Sequence, residues 1–291
     1  MLRNGRDVAN VDPRQTPAAA VARLMVERDI ENMFPKHQVP IGRPALTVSH
    51  LGRRGHFDDV SFVLRRGEIL GLTGLVGSGA KDVVRCLFGL TRADAGDIHF
   101  DDMRQGTVVR SPAEAVGKAL ALIPEDRRGH GVALGLSVAE NMTLASLERI
   151  SRFGFLRRRE EGSRVEGLIK ALSVRTSSAR ATVRTLSGGN QQKVSVAKWL
   201  SRESAVYILD EPTVGIDVGS KVEIYDLIGM LVEKGAAILI LSTDLPELLG
   251  IADRVLVMYR GRIVHEVEPQ STNEAELLAE ITGSGEQRDV G

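Results

Sequence analysis

Leu186-Ser187-Gly188-Gly189-Asn190-Gln191-Gln192-Lys193, followed by Asp210-Glu211-Pro212-Thr213 at the end of the apolar run Ala205-Val206-Tyr207-Ile208-Leu209, decides how this chain is read. The first stretch reads as a loop opening into a helix. Its paired glycines let the backbone approach a ligand closely. The Ser187 hydroxyl, the free N–H groups of a helix start and the positive end of its dipole together make a phosphate site. The second stretch reads as a strand buried inside a parallel sheet. Two carboxylates at the C-terminal end of such a strand suit Mg²⁺ and a hydrolytic water. Either motif alone also reads as an ordinary loop or core strand. Their order, and the 23 residues from Ser187 to Asp210, make the pair informative.

Composition bounds the function classes. A chain of 291 residues holds one large or two small domains and buries a full core. Lys plus Arg equals Asp plus Glu at 38 each, so no global field recruits nucleic acid. A lone cysteine, Cys86, excludes an intramolecular disulfide and fits a reducing compartment, with a buried packing role. No stretch reaches the roughly 18 apolar residues of a membrane span, and the start carries no signal-peptide pattern. Membrane association would come through a partner.

The two ends repeat one another. Met1-Leu2-Arg3-Asn4-Gly5-Arg6-Asp7-Val8 lies on Val257-Met258-Tyr259-Arg260-Gly261-Arg262-Ile263-Val264 at an offset of 256, without gaps. The same offset matches Val11 with Val267, Pro13 with Pro269, Thr16 with Thr272 and Ala19 with Ala275. Each end reads as a strand, a glycine turn, a second strand and a short helix. The expectation is that residues 1–26 are the remnant of the end of an upstream domain, 27–43 a linker punctuated by Pro35, Pro40 and Gly42, and 44–291 one nucleotide-binding domain. Residues 1–26 are expected to be disordered or to pack on a borrowed surface, and the domain from Pro44 onward to fold without them or the linker.

Strands are predicted at Ala45–Ser49, Val60–Leu64, Glu68–Thr73, Ala119–Pro124, Tyr207–Asp210, Ala237–Ser242 and Val255–Tyr259, with a helix over Lys81–Phe88. Residues 137–181 read as helical and charged, and the run Arg157-Arg158-Arg159-Glu160-Glu161 as a solvated face. Alternating strands and helices imply a mainly parallel α/β core. Between strand and helix lies Gly74-Leu75-Val76-Gly77-Ser78-Gly79, the context of a phosphate-binding P-loop. The pattern then requires Lys followed by Ser or Thr, and this chain has Ala80 and Lys81. The cradle of backbone N–H groups can survive, because it depends on glycine conformations. The lysine that reaches the β- and γ-phosphates and the hydroxyl that ligates Mg²⁺ are both missing. Lys81 sits about 100° round the helix from the lysine position. It is read either as lost to the site or as standing in the place of the cation, and Asp82 as an added negative charge.

The two motifs resemble the signature and Walker B sequences of ABC-type ATPases. Over its whole length the chain is similar to the C-terminal ATP-binding domain of the fused ATPase subunits of carbohydrate importers of the ribose, galactose and xylose type. The residues carrying the resemblance are Asn32-Met33-Phe34-Pro35-Lys36, Pro124 to Arg128, Gly135 to Asn141, Leu186 to Leu200, Asp210 to Gly219 and Leu245-Pro246-Glu247. It implies a RecA-like P-loop NTPase core with an antiparallel β subdomain and a helical signature subdomain at about 126–190. The cofactors implied are ATP and Mg²⁺. Gly74, Gly77, Ser78, Gly79, Ala80 and Lys81 would line this domain's own phosphates. Leu186, Ser187, Gly188, Gly189, Asn190 and Gln191 would close on ATP held by a partner domain, with Asp217 beside them. Asp210 and Glu125 would hold Mg²⁺, Glu125 standing where the glutamine loop has its amide. Glu211 would orient the attacking water, and Thr243 fills the place of the switch histidine. Phe57, the nearest candidate for an adenine-stacking ring, reads better as core.

The partners implied are a second ABC domain, namely the upstream half of the same protein or homologous subunits, an integral-membrane permease and, indirectly, a periplasmic sugar-binding protein. The place implied is peripheral, on the cytoplasmic face of the inner membrane. ATPase turnover by the isolated chain is expected to be weak or absent. Two other readings stay open: a nucleotide-incompetent regulatory or interaction domain, and a soluble non-transport ABC ATPase. The latter would bring a long coiled coil or a basic arm, and neither is visible.

Overall fold

The computed structural model describes residues 2–3, 6–7, 9–10, 12, 33–101 and 108–284. Five parallel strands, whose apolar runs bury on both faces, and one antiparallel, partly exposed edge strand form the main sheet. They are β5 (Ile69–Gly74), β7 (Leu120–Ile123), β10 (Val206–Asp210), β11 (Ala237–Leu241), β12 (Arg254–Tyr259) and β13 (Arg262–Val267). The spatial order is β13-β12-β5-β11-β10-β7, with β13 antiparallel to β12. Leu70, Leu72, Ile208, Ile238, Leu239 and Ile240 have no exposed surface. β11 runs between β5 and β10, and all three are parallel. The residues that follow them, Gly74 onward, Thr243 and Asp210-Glu211, therefore emerge together at the sheet's C-terminal edge, where α/β folds bind ligands.

A second, antiparallel sheet has the order β4 (Phe57–Arg65), β3 (Pro44–Arg53), β6 (Ala95–Phe100). Both β3 and β4 run longer than their apolar cores predict, since β3 contains register shifts that let Leu51 as well as Val48 face inward. Helix α1 (Ala80–Leu87) follows the phosphate loop, and α2 (Pro112–Gly117) leads into β7. The region 137–181 is less helical than its charge pattern suggests. It contains α3 (Val138–Thr143), the single turn α4 (Leu147–Ile150), the hairpin β8 (Ser151–Arg152) and β9 (Phe155–Leu156), and α5 (Arg158–Ala171). Ser137 and Glu140 close a reciprocal capping box at the start of α3. In the charge run, Arg157 to Glu160 face solvent, whereas Glu161 is buried and accepts a hydrogen bond from the Thr143 hydroxyl at 3.3 Å. The signature helix α6 (Gly188–Leu200) packs against α3. The later helices are α7 (Val218–Glu233), α8 (Leu245–Ile251) and α9 (Glu274–Thr282). Cys86 is buried in the core, as is Phe57.

The described part of the predicted linker is docked on the domain. The Phe34 ring lies 5.5 Å from that of Tyr225 on α7 and fills the space over Gly250, where a Cβ would come within 2.3 Å of it. Lys36 donates to the Ala252 carbonyl at 2.6 Å and pairs with Asp253 at 2.9 Å, and His37 reaches Glu233 at 2.7 Å. The strap thus contacts the domain that is expected to fold from Pro44 onward. Leu2–Arg3 (β1) and Arg6–Asp7 (β2) pair antiparallel, Leu2 with Asp7 and Arg3 with Arg6. Shifted by 256, these are the pairs Met258 with Ile263 and Tyr259 with Arg262 of β12 and β13. The end repeat is thus a repeat of backbone pairing as well as of sequence; the rest of residues 1–26 lies largely outside the described residues. Among the described residues no helix is long and apolar enough to cross a membrane.

Candidate phosphate-binding site

The loop after β5 takes the shape its glycines allow. Gly79 sits at φ 95°, a left-handed conformation that side chains rarely adopt, and a Cβ there would meet the His56 carbonyl at 2.8 Å. Leu75 and Val76 stand out at the surface, whereas Ser78 and Ala80 are buried. Ala80 therefore presents no side chain to a ligand. Beside Gly77 opens a cleft of about 610 Å³ whose wall includes Arg53, Arg54, His56 and Arg260. Asp82, the expected extra negative charge, turns toward this wall. It pairs with Arg53 at 3.4 Å and His56 at 3.2 Å, so its charge is compensated.

Lys81 is half exposed, with 52 % of its side-chain surface free, and its ammonium donates to the Glu125 carboxylate and lies 3.8 Å from Asp210. Burial by itself would lower the Lys81 pKa. The hydrogen bond to Glu125 and the charges of Asp210, Glu125 and Glu211 outweigh it and hold the ammonium above its ordinary range. Burial pushes the Asp210 carboxyl up, and the Lys81 charge pulls it back in part. The expected metal pair, Asp210 and Glu125, is brought together, but on a lysine. Residue 81 supplies no hydroxyl, and among the described residues no group of three His, Cys, Asp or Glu side chains converges as a metal site. This donor set does not fit a Mg²⁺ ion in that place, because an ammonium already stands between the two carboxylates and repels a divalent cation.

Glu211 is the next residue along, held at φ 50°, the left-handed region that is costly for a side-chain-bearing residue. Its carboxylate accepts the Thr243 backbone N–H at 2.9 Å. Burial raises its pKa, and the Thr243 contacts lower it. The switch position thus touches Glu211 through its backbone N–H, and the Thr243 side chain adds to the pull on the carboxylate.

The signature residues do not line either cleft beside the phosphate loop. Ser187 caps α6, accepting from the Asn190 backbone N–H at 3.4 Å and from the Asn190 amide at 2.8 Å. Gly188 and Asn190 are partly exposed, and Gly189 abuts Ser220. Gln191, expected to face a ligand, is 1 % exposed and donates to the Leu186 and Val183 carbonyls at 3.1 and 3.3 Å. It shapes the loop from behind, and Leu186 packs inward with it. Asp217 likewise spends its carboxylate as the cap of α7, accepting from the Ser220 N–H at 3.0 Å and the Ser220 hydroxyl at 2.8 Å.

Arg127 is a residue the motif reading missed. Its guanidinium donates to the Val214 and Gly215 carbonyls at 3.0 Å each, tying the loop after Glu125 to the loop after Glu211. Nothing in its sequence context beyond a basic pair signals this. On the other side of Glu125 a second cleft, about 590 Å³, runs between core and helical region past Phe88, Leu90, Lys198 and Trp199. Burial lowers the Lys198 pKa to about 8.

The ABC transporter family pattern matches residues 57–214, spanning the phosphate loop, the signature and the carboxylate pair. This chain belongs to the ABC transporter family. It is 52 % identical over 284 residues to the ribose import ATP-binding protein RbsA of Pseudomonas putida, covering 98 % of this chain and 55 % of that protein. It is 49 % identical over 290 residues to the protein of the same name from Cereibacter sphaeroides, covering 99 % and 57 %. The chain thus spans about half the length of the curated relatives it matches. Among solved structures, an ATP-binding cassette of an ABC transporter in its ADP conformation superposes with a TM-score of 0.66 at 20 % identity, covering 82 % of this chain and 95 % of that one. A dimeric cassette bound to ADP and Pi gives 0.64 at 18 %, covering 77 % and 98 %. At these identities the likeness is one of fold: the P-loop ABC ATPase fold with its antiparallel β subdomain.

Proposed function

We propose that this ABC domain is the second ATP-binding half of a carbohydrate importer, whose signature closes over ATP held by another ABC domain while its own phosphate loop is the weaker site. The observation that carries this reading is an asymmetry within one domain. Ser187 is exposed at the cap of α6 with Gly188 and Asn190 half-buried beside it, whereas Ala80 withholds a cation from the loop and Lys81 is engaged with Glu125 and Asp210. The ribose-import relatives supply the substrate class, and ribose is the first sugar to test. The repeated end hairpin and the half-length match support a tandem origin.

In the assembled pair, Ser187 and the first N–H groups of α6 would hold the γ-phosphate of the partner-bound ATP. Glu211, oriented by Thr243, would take the proton of an attacking water. The cleft past Leu90 and Trp199 would receive a helix of the membrane permease, which places the chain peripherally on the cytoplasmic side of the inner membrane. A periplasmic sugar-binding protein would act through that permease, and nucleic acid plays no part. Uptake of radiolabelled ribose, galactose and xylose in a strain lacking this gene tests the reading. Restoration by the native gene is expected for one of these sugars, with Ser187→Ala lowering the initial rate about tenfold, the worth of a charge-assisted phosphate contact. Full rescue by Ser187→Ala would favour an interaction domain that handles no nucleotide. A normal uptake of all three sugars without the gene would end the importer reading.

A further inference from the structure

We propose that Lys81 is the resident counter-cation of this domain's own phosphate loop, so that the loop takes nucleoside phosphates in their metal-free form. The inference rests on the proposed ATP-binding role and concerns its chemistry. In P-loop enzymes the residue at this position supplies the hydroxyl that holds Mg²⁺, and a carboxylate at the end of a neighbouring strand completes the place. Here the residue at that position brings its own positive charge. The Lys81 ammonium bonds to Glu125 and stands 3.8 Å from Asp210, which is where the strand-end carboxylate directs a cation.

Three further observations make the replacement specific to this side chain. Asp82, the nearest competing acid on α1, is occupied by Arg53 and His56, so it does not draw Lys81 away. Ala80 is buried and carries no charge; of the cations α1 turns to the cleft beside Glu125 and Asp210, Lys81 is bonded to Glu125, whereas Arg85 acts on Asp210 through its charge alone. With 52 % of its side-chain surface free, Lys81 still has donors to turn toward an incoming phosphate while Glu125 holds it. A hard divalent ion needs about six oxygens around it, and the ammonium occupies one Glu125 oxygen and sets a positive charge 3.8 Å from Asp210, which opposes a second cation there. One lysine charge is weaker than Mg²⁺, which agrees with a site that holds nucleotide without turning it over quickly.

Equilibrium dialysis of the full chain against radiolabelled ATP, in Mg²⁺ and separately in EDTA, tests the proposal. The native chain is expected to bind with the same affinity in both buffers, to within about twofold, and Lys81→Arg to behave likewise because it keeps the charge. Lys81→Ser restores the hydroxyl and removes the charge. It is expected to bind about tenfold more weakly in EDTA and to recover when Mg²⁺ is added. Binding by the native chain that tightens about tenfold with Mg²⁺, or Lys81→Ser binding undiminished in EDTA, overturns the proposal. So does an absence of saturable binding by the native chain in either buffer. In each of those cases the Ser187→Ala uptake result stands apart and still decides the importer reading.

Discussion

Glu68 has no exposed surface, yet it carries a carboxylate at the start of β5. Arg254 donates to it at 2.7 Å, the Arg65 backbone N–H donates at 2.7 Å, and the same guanidinium reaches the Val63 carbonyl at 2.8 Å. One pair thereby joins both sheets. Removing one partner strands the other charge, so Arg254→Leu is expected to destabilise the chain by about 3–5 kcal/mol in urea unfolding. The double variant Glu68→Leu/Arg254→Leu is expected to cost clearly less than the single one. Glu247 is a second buried carboxyl, accepting from the Thr213 hydroxyl at 2.9 Å and from the Ser242 hydroxyl. Burial raises its pKa, and the hydroxyls of Ser242, Thr213 and Tyr225 offset this only in part. A carboxyl raised in the folded state holds its proton more tightly there than in the unfolded chain. Its stability contribution is therefore complete below the ordinary carboxylate range and is lost as pH rises through the folded value. Measured from about pH 4 to about pH 8, melting temperatures of native chain and Glu247→Gln are expected to converge or cross in the variant's favour as pH rises. A constant offset would contradict this.

At the scale of elements, the segment from Met33 to Gly42 behaves as part of the domain. Its prolines and its place between two repeats read as a connector, because periodicity carries no information about an irregular strap. What seats it is tertiary: the missing side chain at Gly250 on α8, Tyr225 and Glu233 on α7, and Asp253 just before β12. Phe34→Ala is expected to cost about 1–3 kcal/mol, the lower part of the range for aromatic truncation because the ring is half buried. Thermal denaturation reads the loss directly. An unchanged transition would return the strap to the status of a linker.

At the scale of the whole molecule, parallel strand order assembles the phosphate loop, Thr243 and the carboxylates at one edge, while the signature loop lies outside the clefts beside them. Under the proposed function, one copy of this chain would supply an incomplete half of each of two sites. Negligible ATPase activity is expected from the chain alone, measured as phosphate release. Robust turnover that disappears in Glu211→Gln would show that the domain's own pocket is catalytically sufficient.

The apolar runs of β5, β10 and β11, the glycine loop before α1 and the order of signature and carboxylates were legible from the sequence, because burial on both faces and left-handed turns leave direct marks in residue type. Ala80 was recognisable as a departure against the P-loop pattern, and Thr243 only against the family resemblance. What only the tertiary structure decided was where charges and polar side chains end up. Gln191, which shares its motif with Ser187 and Gly188, donates to backbone carbonyls of its own loop, and Asp217, beyond the carboxylate pair, caps α7 through the Ser220 N–H and hydroxyl. Asp82 is answered by Arg53 and His56 of the β3–β4 hairpin, and Arg127 spans two loops 87 residues apart in sequence. Lys81 is one residue late for the lysine position and in place for a cation, because β7 and β10 bring Glu125 and Asp210 to it. Such pairings depend on distances between elements far apart in the chain, which local residue patterns do not encode.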